Sequence, residues 1–303
     1  MGIDTKYKLE LRLKTAQDYE ANGETLHALQ IYNSIIDDEP GYVDAYFCLV
    51  ELYEKLNKIE SAKNLLRDFL IDNPENNLVR LFYAQFLLRN SQWENVIENL
   101  QPINISEEPI AAFFLGYSFF MLKNYQHAKI NFLHFVSSGK KTELLHETYI
   151  FLAKTEIQLR NFESALEFAK KSEIVYSNFW ELNLVFAIIH YNLGMQTHAI
   201  TSITKSLKLN PNETSIYKWA GKIFLKVGEY IKAEENFLIY IGMVEYPSSE
   251  IYFELGEAYL KTNKVKDALQ YYELALKIDP LNKYAFEGKK KANSILQTGT
   301  NEI

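Results

Sequence analysis

Alanine recurs along this chain at nearly constant intervals: Ala28, Ala62, Ala128, Ala165, Ala199, Ala233 and Ala268, with Val96 at the one missing place. The successive intervals are 34, 34, 32, 37, 34, 34 and 35 residues. Twelve residues before these positions stand Ala16, Ala84, Gly116, Ala153, Ala187, Gly221 and Gly256, with Val50 as the exception. Pro40, Pro74, Pro211 and Pro280 each follow one of the alanines by twelve. A period of this length means that one supersecondary unit is copied along the chain and buries its apolar face only against its neighbours.

Two small residues twelve apart suit a pair of antiparallel helices. Small side chains let the helices approach where they cross, and larger ones fill the rest of the contact at helical spacing. In the last unit those are Tyr252, Leu255 and Tyr259 on the first helix, and Leu269, Tyr272 and Leu276 on the second. Gly256 and Ala268 are expected to meet across that pair. The proline closes each unit because it cannot continue a helix. Only 12 Gly and 7 Pro in 303 residues leave little material for the many turns a β-fold needs.

The segment YFELGEAYLKTNKVKDALQYYELALKIDP, residues 252–280, resembles a tetratricopeptide repeat, with Tyr252, Leu255-Gly256, Tyr259, Ala268, Tyr272 and Pro280 in the pattern's places. YKWAGKIFLKVGEYIKAEENFLIYI and LNLVFAIIHYNLGMQTHAITSITKSLKLNP fit nearly as well. The resemblance covers about residues 9–282 in eight units, near 9–42, 43–76, 77–108, 109–142, 146–179, 180–213, 214–247 and 249–282, with a polar cap at 283–297. It implies an all-α, right-handed superhelical solenoid of about 17 helices in a single domain. Three places depart from the pattern. Repeat 3 has Val96 and an early Pro102, repeat 5 has Ala169 where an aromatic is usual, and the junction 139–145 carries extra residues. A local change of pitch around repeats 3 to 5 is expected, and the tail TGTNEI is expected to fray.

A net charge of −7 disfavours nucleic acid as a partner, because phosphate neutralisation needs a basic face. The single cysteine, Cys48, allows no intrachain disulfide and is read as a buried, inert thiol. The opening MGIDTKYKLELRLK lacks the apolar core of a signal peptide, and Lys6 stands where a myristoylation motif needs Ser or Thr. The apolar run Ile110–Leu122 is shorter than a membrane span. A cytoplasmic protein without a membrane span is the expectation.

The resemblance implies that first helices line a concave groove. Repeat 4 would present Ile110, Phe113, Tyr117 and Phe120, at 3–4–3 spacing along one helical face, while Ala112, Leu115, Gly116 and Phe119 face the partner helix. Phe113 and Phe120 can equally be core. Repeats 3, 5 and 6 would add Leu78, Leu81, Gln85 and Leu88, then Glu147, Ile150, Lys154 and Ile157, then Glu181, Leu184, Ile188 and Tyr191, which support an apolar centre. Repeats 1 and 2 would make one end acidic through Glu10, Gln17, Glu20, Asp44, Glu51 and Glu54, with Leu13 and Phe47; Lys218 and Lys222 would make repeat 7 locally basic, and Glu250 and Glu257 would turn repeat 8 acidic again. The two lysines resemble part of the clamp with which some relatives hold an acidic C-terminus. Phe253, Glu254 and Glu257 on the next first helix speak against that carry-over.

No catalytic motif, phosphate loop or dinucleotide fingerprint occurs, and none of the six histidines is paired at i, i+4. His127 and His134, seven apart, share a helical face without a recognisable site. The expectation is a non-enzymatic adaptor, without cofactor or metal, that binds a segment of another protein. An accessory or regulatory subunit of a cell-envelope or secretion assembly is the alternative, and single-stranded RNA binding stands behind it.

Overall fold

The computed structural model describes residues 3–139 and 144–299, so Lys140–Thr142 and Glu143 of the junction and residues 300–303 of the tail lie outside the described residues. The chain divides into two compact units, Met1–Ser138 and Gly139–Ile303. Unit 1 holds α1 (Ile3–Ala21), α2 (Thr25–Asp38), α3 (Val43–Lys55), α4 (Ile59–Asp72), α5 (Asn77–Arg89), α6 (Trp93–Leu100), α7 (Pro109–Met121) and α8 (Tyr125–Ser137). Unit 2 holds α9 (Leu144–Gln158), α10 (Phe162–Val175), α11 (Trp180–Asn192), α12 (Gln196–Leu209), α13 (Thr214–Val227), α14 (Tyr230–Met243), α15 (Ser249–Lys261), α16 (Val265–Ile278) and α17 (Lys283–Gly299). These 17 helices, with no strand among the described residues, are the all-α repeat of helix pairs that the period demands. α1 begins at Ile3, ahead of the expected residue 9. Among the described residues no helix is long and apolar enough to cross a membrane.

The turn inside each pair explains why the period is kept. Apart from Gly139, which lies outside these turns, one residue per repeat takes a positive φ, and it does so in that turn: Gly23, Asn57, Ser91 and Lys123 in unit 1, and Arg160, Gly194, Gly228 and Asn263 in unit 2. Each lies five residues before the recurring alanine or Val96. The amide that follows it donates back across the helix end, as Glu24 to the Tyr19 carbonyl (2.8 Å), Lys58 to Tyr53 (2.8 Å), Asn161 to Glu156 (2.8 Å) and Lys264 to Tyr259 (2.9 Å). This left-handed cap uses carbonyls the helix would otherwise leave unpaired.

The small residues work through a partner the spacing alone does not show. A Cβ on Gly116 would lie 2.7 Å from the Phe132 ring, one on Gly221 would lie 2.5 Å from Phe237, and one on Gly256 would lie 2.7 Å from Tyr272. Atoms nearest to Gly256 therefore belong to Tyr272, one turn beyond Ala268, and not to Ala268 itself. Where the second helix carries a smaller residue, the first carries a larger one: Val50 clusters with Leu66, and Ala84 with Leu100. Ala187 likewise clusters with Ile203, and Ala153 with Ala169. Combined volume is held roughly constant in most of these pairs, as close packing requires, and Ala153 with Ala169 is the exception, small on both helices.

Repeat 3 is built differently. α6 has 8 residues, whereas the other second helices have 13 or 14. Pro102 follows its end, and Ile103 from the ensuing turns is buried in the unit 1 core.

Candidate partner-binding faces

In unit 1 the first helices α3, α5 and α7 carry half-buried aromatic and aliphatic side chains. Phe47 on α3 stacks on Phe82 of α5 with ring centroids 4.1 Å apart. Leu81 and Leu88 pack at the margin of the core, and Leu78 is exposed. On α7, Tyr117 meets Trp93 edge-on at 5.6 Å, and Phe120 meets Tyr125 at 5.7 Å. Phe119 lies against His127 of α8, 5.1 Å between centroids, as expected for a residue facing the partner helix.

Phe113 is a correction: it is 7% exposed and packs on Phe132 and Phe135 of α8. α7 is apolar all round, so spacing alone could not tell its core face from its open one. Cys48, read as buried, is half-buried; burial still pushes its thiol pKa up, and the Gln17 amide reaches it at 3.4 Å. The acidic end is partly neutralised. Lys55 pairs with Glu20 at 2.6 Å, and Arg89 with Glu54 at 2.6 Å, each bond joining successive first helices across 35 residues.

Unit 2 presents a different surface on α9, α11, α13 and α15. Ile150 and Leu184, both expected in the groove, are buried at 1% and 7% exposure in the unit's core clusters. They are core for the same reason as Phe113, because their helices carry apolar residues on more than one face. Ile188 is half-buried beside Tyr191. Tyr191 meets Trp219 edge-on at 5.7 Å, and Lys226 lies over the Tyr191 ring at 4.1 Å while donating to the Tyr191 carbonyl.

The locally basic end is also corrected. Lys154 is hydrogen-bonded to Glu181. Lys222 lies 2.6 Å from Glu250 and 3.2 Å from Glu254, with Lys218 half-buried nearby on the same helix. Burial works against the charge on Lys222, but the bond to Glu250 and the neighbouring Glu254 outweigh it and raise its pKa. The bond to Lys222 holds Glu250 below the usual carboxylate range. Glu254 goes the other way: burial pushes it up to about 7, against the pull of Lys222. A clamp for an incoming carboxylate is thus already filled from within.

His127 and His134 do not join in a site. His127 bonds Asn124 at 2.9 Å, and His134 approaches Ser106 at 3.5 Å. What sequence spacing missed is Arg80, buried at 9% exposure on α5. A signal for it exists, since the residues at its place in repeats 2, 5, 7 and 8 are Tyr46, Tyr149, Tyr217 and Tyr252.

Two family models, both described as tetratricopeptide repeat, match this chain, one at residues 249–282 and the other at residues 20–86. The chain contains tetratricopeptide repeats. Among solved structures, a chain of the APC/C hetero-tetramer Cut9–Hcn1 superposes with TM-score 0.64 at 17% identity, over 93% of this chain. The match spans 55% of that relative's length, and what it shows is a shared fold. A thermophilic tetratricopeptide-repeat protein of Thermus thermophilus matches with TM-score 0.46 at 20% identity, over 62% of this chain and 99% of its own. A tetratricopeptide-repeat protein of Parabacteroides merdae matches with TM-score 0.46 at 13% identity, over 94% of this chain and 98% of its own. No curated protein matches the sequence.

Proposed function

We propose that this tetratricopeptide-repeat protein is a non-catalytic adaptor that holds a segment of another protein along the first-helix face of unit 1. The observation that carries the reading is the set of half-buried first-helix rings, Phe47 stacked on Phe82 of the next first helix, Tyr117 against Trp93 at the start of α6, and Phe120 against Tyr125 at the start of α8. Each ring is oriented by another ring before a partner arrives. Such a surface loses little side-chain freedom on binding, and aromatic anchors of this kind dominate interface energies. Covering one of them contributes about 1.5–3 kcal/mol.

The unit 2 face is the secondary contact in this proposal, through Ile188, Tyr191 and Lys218. The eight repeats as one continuous array and a cytoplasmic setting belong to the same proposal. A role as accessory subunit of an envelope or secretion assembly would use the same surface, with a resident partner in place of a transient one. The RNA reading is disfavoured by the charge layout: Lys55, Arg89, Lys154 and Lys222 each meet a carboxylate of this chain. To test the proposal, peptides are selected from a random library on the full chain, and hydrogen exchange is measured with and without them. Protection is expected on α3, α5 and α7. Protection confined to α4, α6 and α8 contradicts the assignment.

A further inference from the structure

On unit 1, between repeats 2 and 3, α4, α5 and α6 enclose a cleft of about 480 Å³. Lys63, Arg67 and Arg80 line it, against one carboxylate, Glu98. The apolar part of the wall is Leu70, Ile71 and Tyr83. This is a cationic cleft on a chain whose net charge is −7.

Arg80 is the informative residue. Its Nη2 donates to the Pro74 carbonyl at 2.6 Å and its Nη1 to the Asn99 carbonyl at 3.1 Å, while its Nε is buried without a hydrogen-bond partner. The link to the proline carbonyl is a structural job that a neutral residue does elsewhere. In repeat 7, Tyr217 stands at the same place and its hydroxyl donates to the Pro211 carbonyl at 2.8 Å. The positive charge of Arg80 is therefore more than the packing needs.

Repeat 1 also has an arginine at this place, and there the charge is answered. Arg12 lies 2.8 Å from Asp38, at the end of α2. Asp38 follows Ala28 by ten residues, and ten residues after Val96 is Ser106, beyond the early end of α6. Repeat 3 thus has no carboxylate at the place of Asp38, and the charge of Glu75 acts on Arg80 without a hydrogen bond to its Nε. The other two cations are held loosely, Lys63 at 4.0 Å from Glu60 and Arg67 at 3.6 Å from Asp68. A buried cation needs a partner, and a guanidinium suits the planar or tetrahedral oxygens of an oxyanion.

The geometry points to a binding site in this cleft for a small organic anion, whose phosphate or carboxylate group meets Arg80, Arg67 and Lys63 while its apolar body lies on Leu70, Ile71 and Tyr83. The site is separate from the first-helix face and does not depend on what binds there.

The test titrates the full chain with phenyl phosphate and with benzoate, using benzyl alcohol as the neutral control. Binding is followed by calorimetry and by the ¹⁵N signal of the Arg80 Nε–H. Saturable binding of at least one anion is expected, with a shifted Nε–H signal and no binding of the alcohol. The tighter anion identifies the charged group as phosphate or carboxylate. Arg80→Tyr restores the residue type of repeats 2, 5, 7 and 8, and should fold but bind at least about tenfold more weakly. The surface double variant Lys63→Gln with Arg67→Gln should weaken binding by a similar factor, and it decides the matter should Arg80→Tyr lose its fold. Equal binding of alcohol and anions, no saturation by either anion, or unchanged affinity in the double variant overturns the site.

Discussion

The first-helix faces of the two units are held in different ways. In unit 1 ring meets ring, as Phe47 meets Phe82 and Tyr117 meets Trp93. In unit 2 ring meets ammonium and ammonium meets carboxylate, as Lys226 covers Tyr191 and Lys222 joins Trp219 to Glu250 and Glu254. Unit 1 has ion pairs on its first helices too, Lys55 with Glu20 and Arg89 with Glu54, but none of the aromatic pairs named for its face includes a charged residue. To use Lys222 a ligand has to compete with two carboxylates already in place. One repeat scaffold therefore yields a face that responds mainly to apolar contact and another that responds to salt and pH.

The strongest way to break the comparison is to empty one core and watch the other. Phe132→Ala removes the ring seated on Gly116, and Phe237→Ala removes the ring seated on Gly221. Each should cost about 3–5 kcal/mol, with the loss of hydrogen-exchange protection greatest in its own unit, because repeats contact only their neighbours. Equal loss of protection in both units after either change would show that they melt as one body and that the contrast between them is superficial.

A smaller effect belongs to unit 2 alone. Folded, the Glu254 carboxyl keeps its proton up to about pH 7, against 4.5 for a solvated glutamate. Folding therefore takes up a proton between these values, so stability falls as pH rises through that window and stays lower above it. Glu254→Gln removes the loss while Lys222 keeps its bond to Glu250. Thermal melts should show the variant equal to the native chain near about pH 4 and more stable by about 1–3 kcal/mol near about pH 8. A difference that does not grow with pH would mean that Lys222 holds Glu254 ionised throughout, and the pH sensitivity ascribed to the unit 2 face would fail.

The smallest effect should be the same in both units, and this sharpens the contrast by showing what they share. Lys123 in unit 1 and Arg160 in unit 2 take φ of +60° and +61° where other repeats use Gly23, Gly194 or Gly228. Lys123→Gly and Arg160→Gly should each stabilise by about 0.5–1 kcal/mol, since a side chain in the left-handed region is strained. A loss of stability on denaturant melting would mean that those side chains hold the turn by contacts worth more than the strain.

The repeat could be read from the sequence because each unit solves the same packing problem with residues of the same size. Ala28, Ala62, Ala128 and their counterparts mark one buried position each, and Pro102 marks the early end of α6. Surface assignment was less legible. Phe113, Ile150 and Leu184 sit on helices that are apolar on more than one face, so a helical stripe does not say which side is covered. The charges misled for another reason. Lys55 with Glu20 and Lys222 with Glu250 are 35 and 28 residues apart, and their pairing exists only once one repeat is laid on the next. Arg80 announces itself only by comparison with Tyr217 at the same place in another repeat.

The central claim is that Tyr117, on the first-helix face of unit 1, is there for a partner, and that Phe119, against the second helix, is there for the fold. Tyr117 and Phe119 lie two residues apart on α7, one against Trp93 and the other against His127 of the partner helix. The direct measurement is the affinity of a selected peptide, together with the melting temperature, for Tyr117→Ala and Phe119→Ala side by side. The account predicts that Tyr117→Ala stays folded and loses affinity about tenfold to a hundredfold, whereas Phe119→Ala melts lower and, while folded, keeps its affinity. If Tyr117→Ala binds as tightly as the native chain, or unfolds as readily as Phe119→Ala, the aromatic face of unit 1 is core and the claim is wrong.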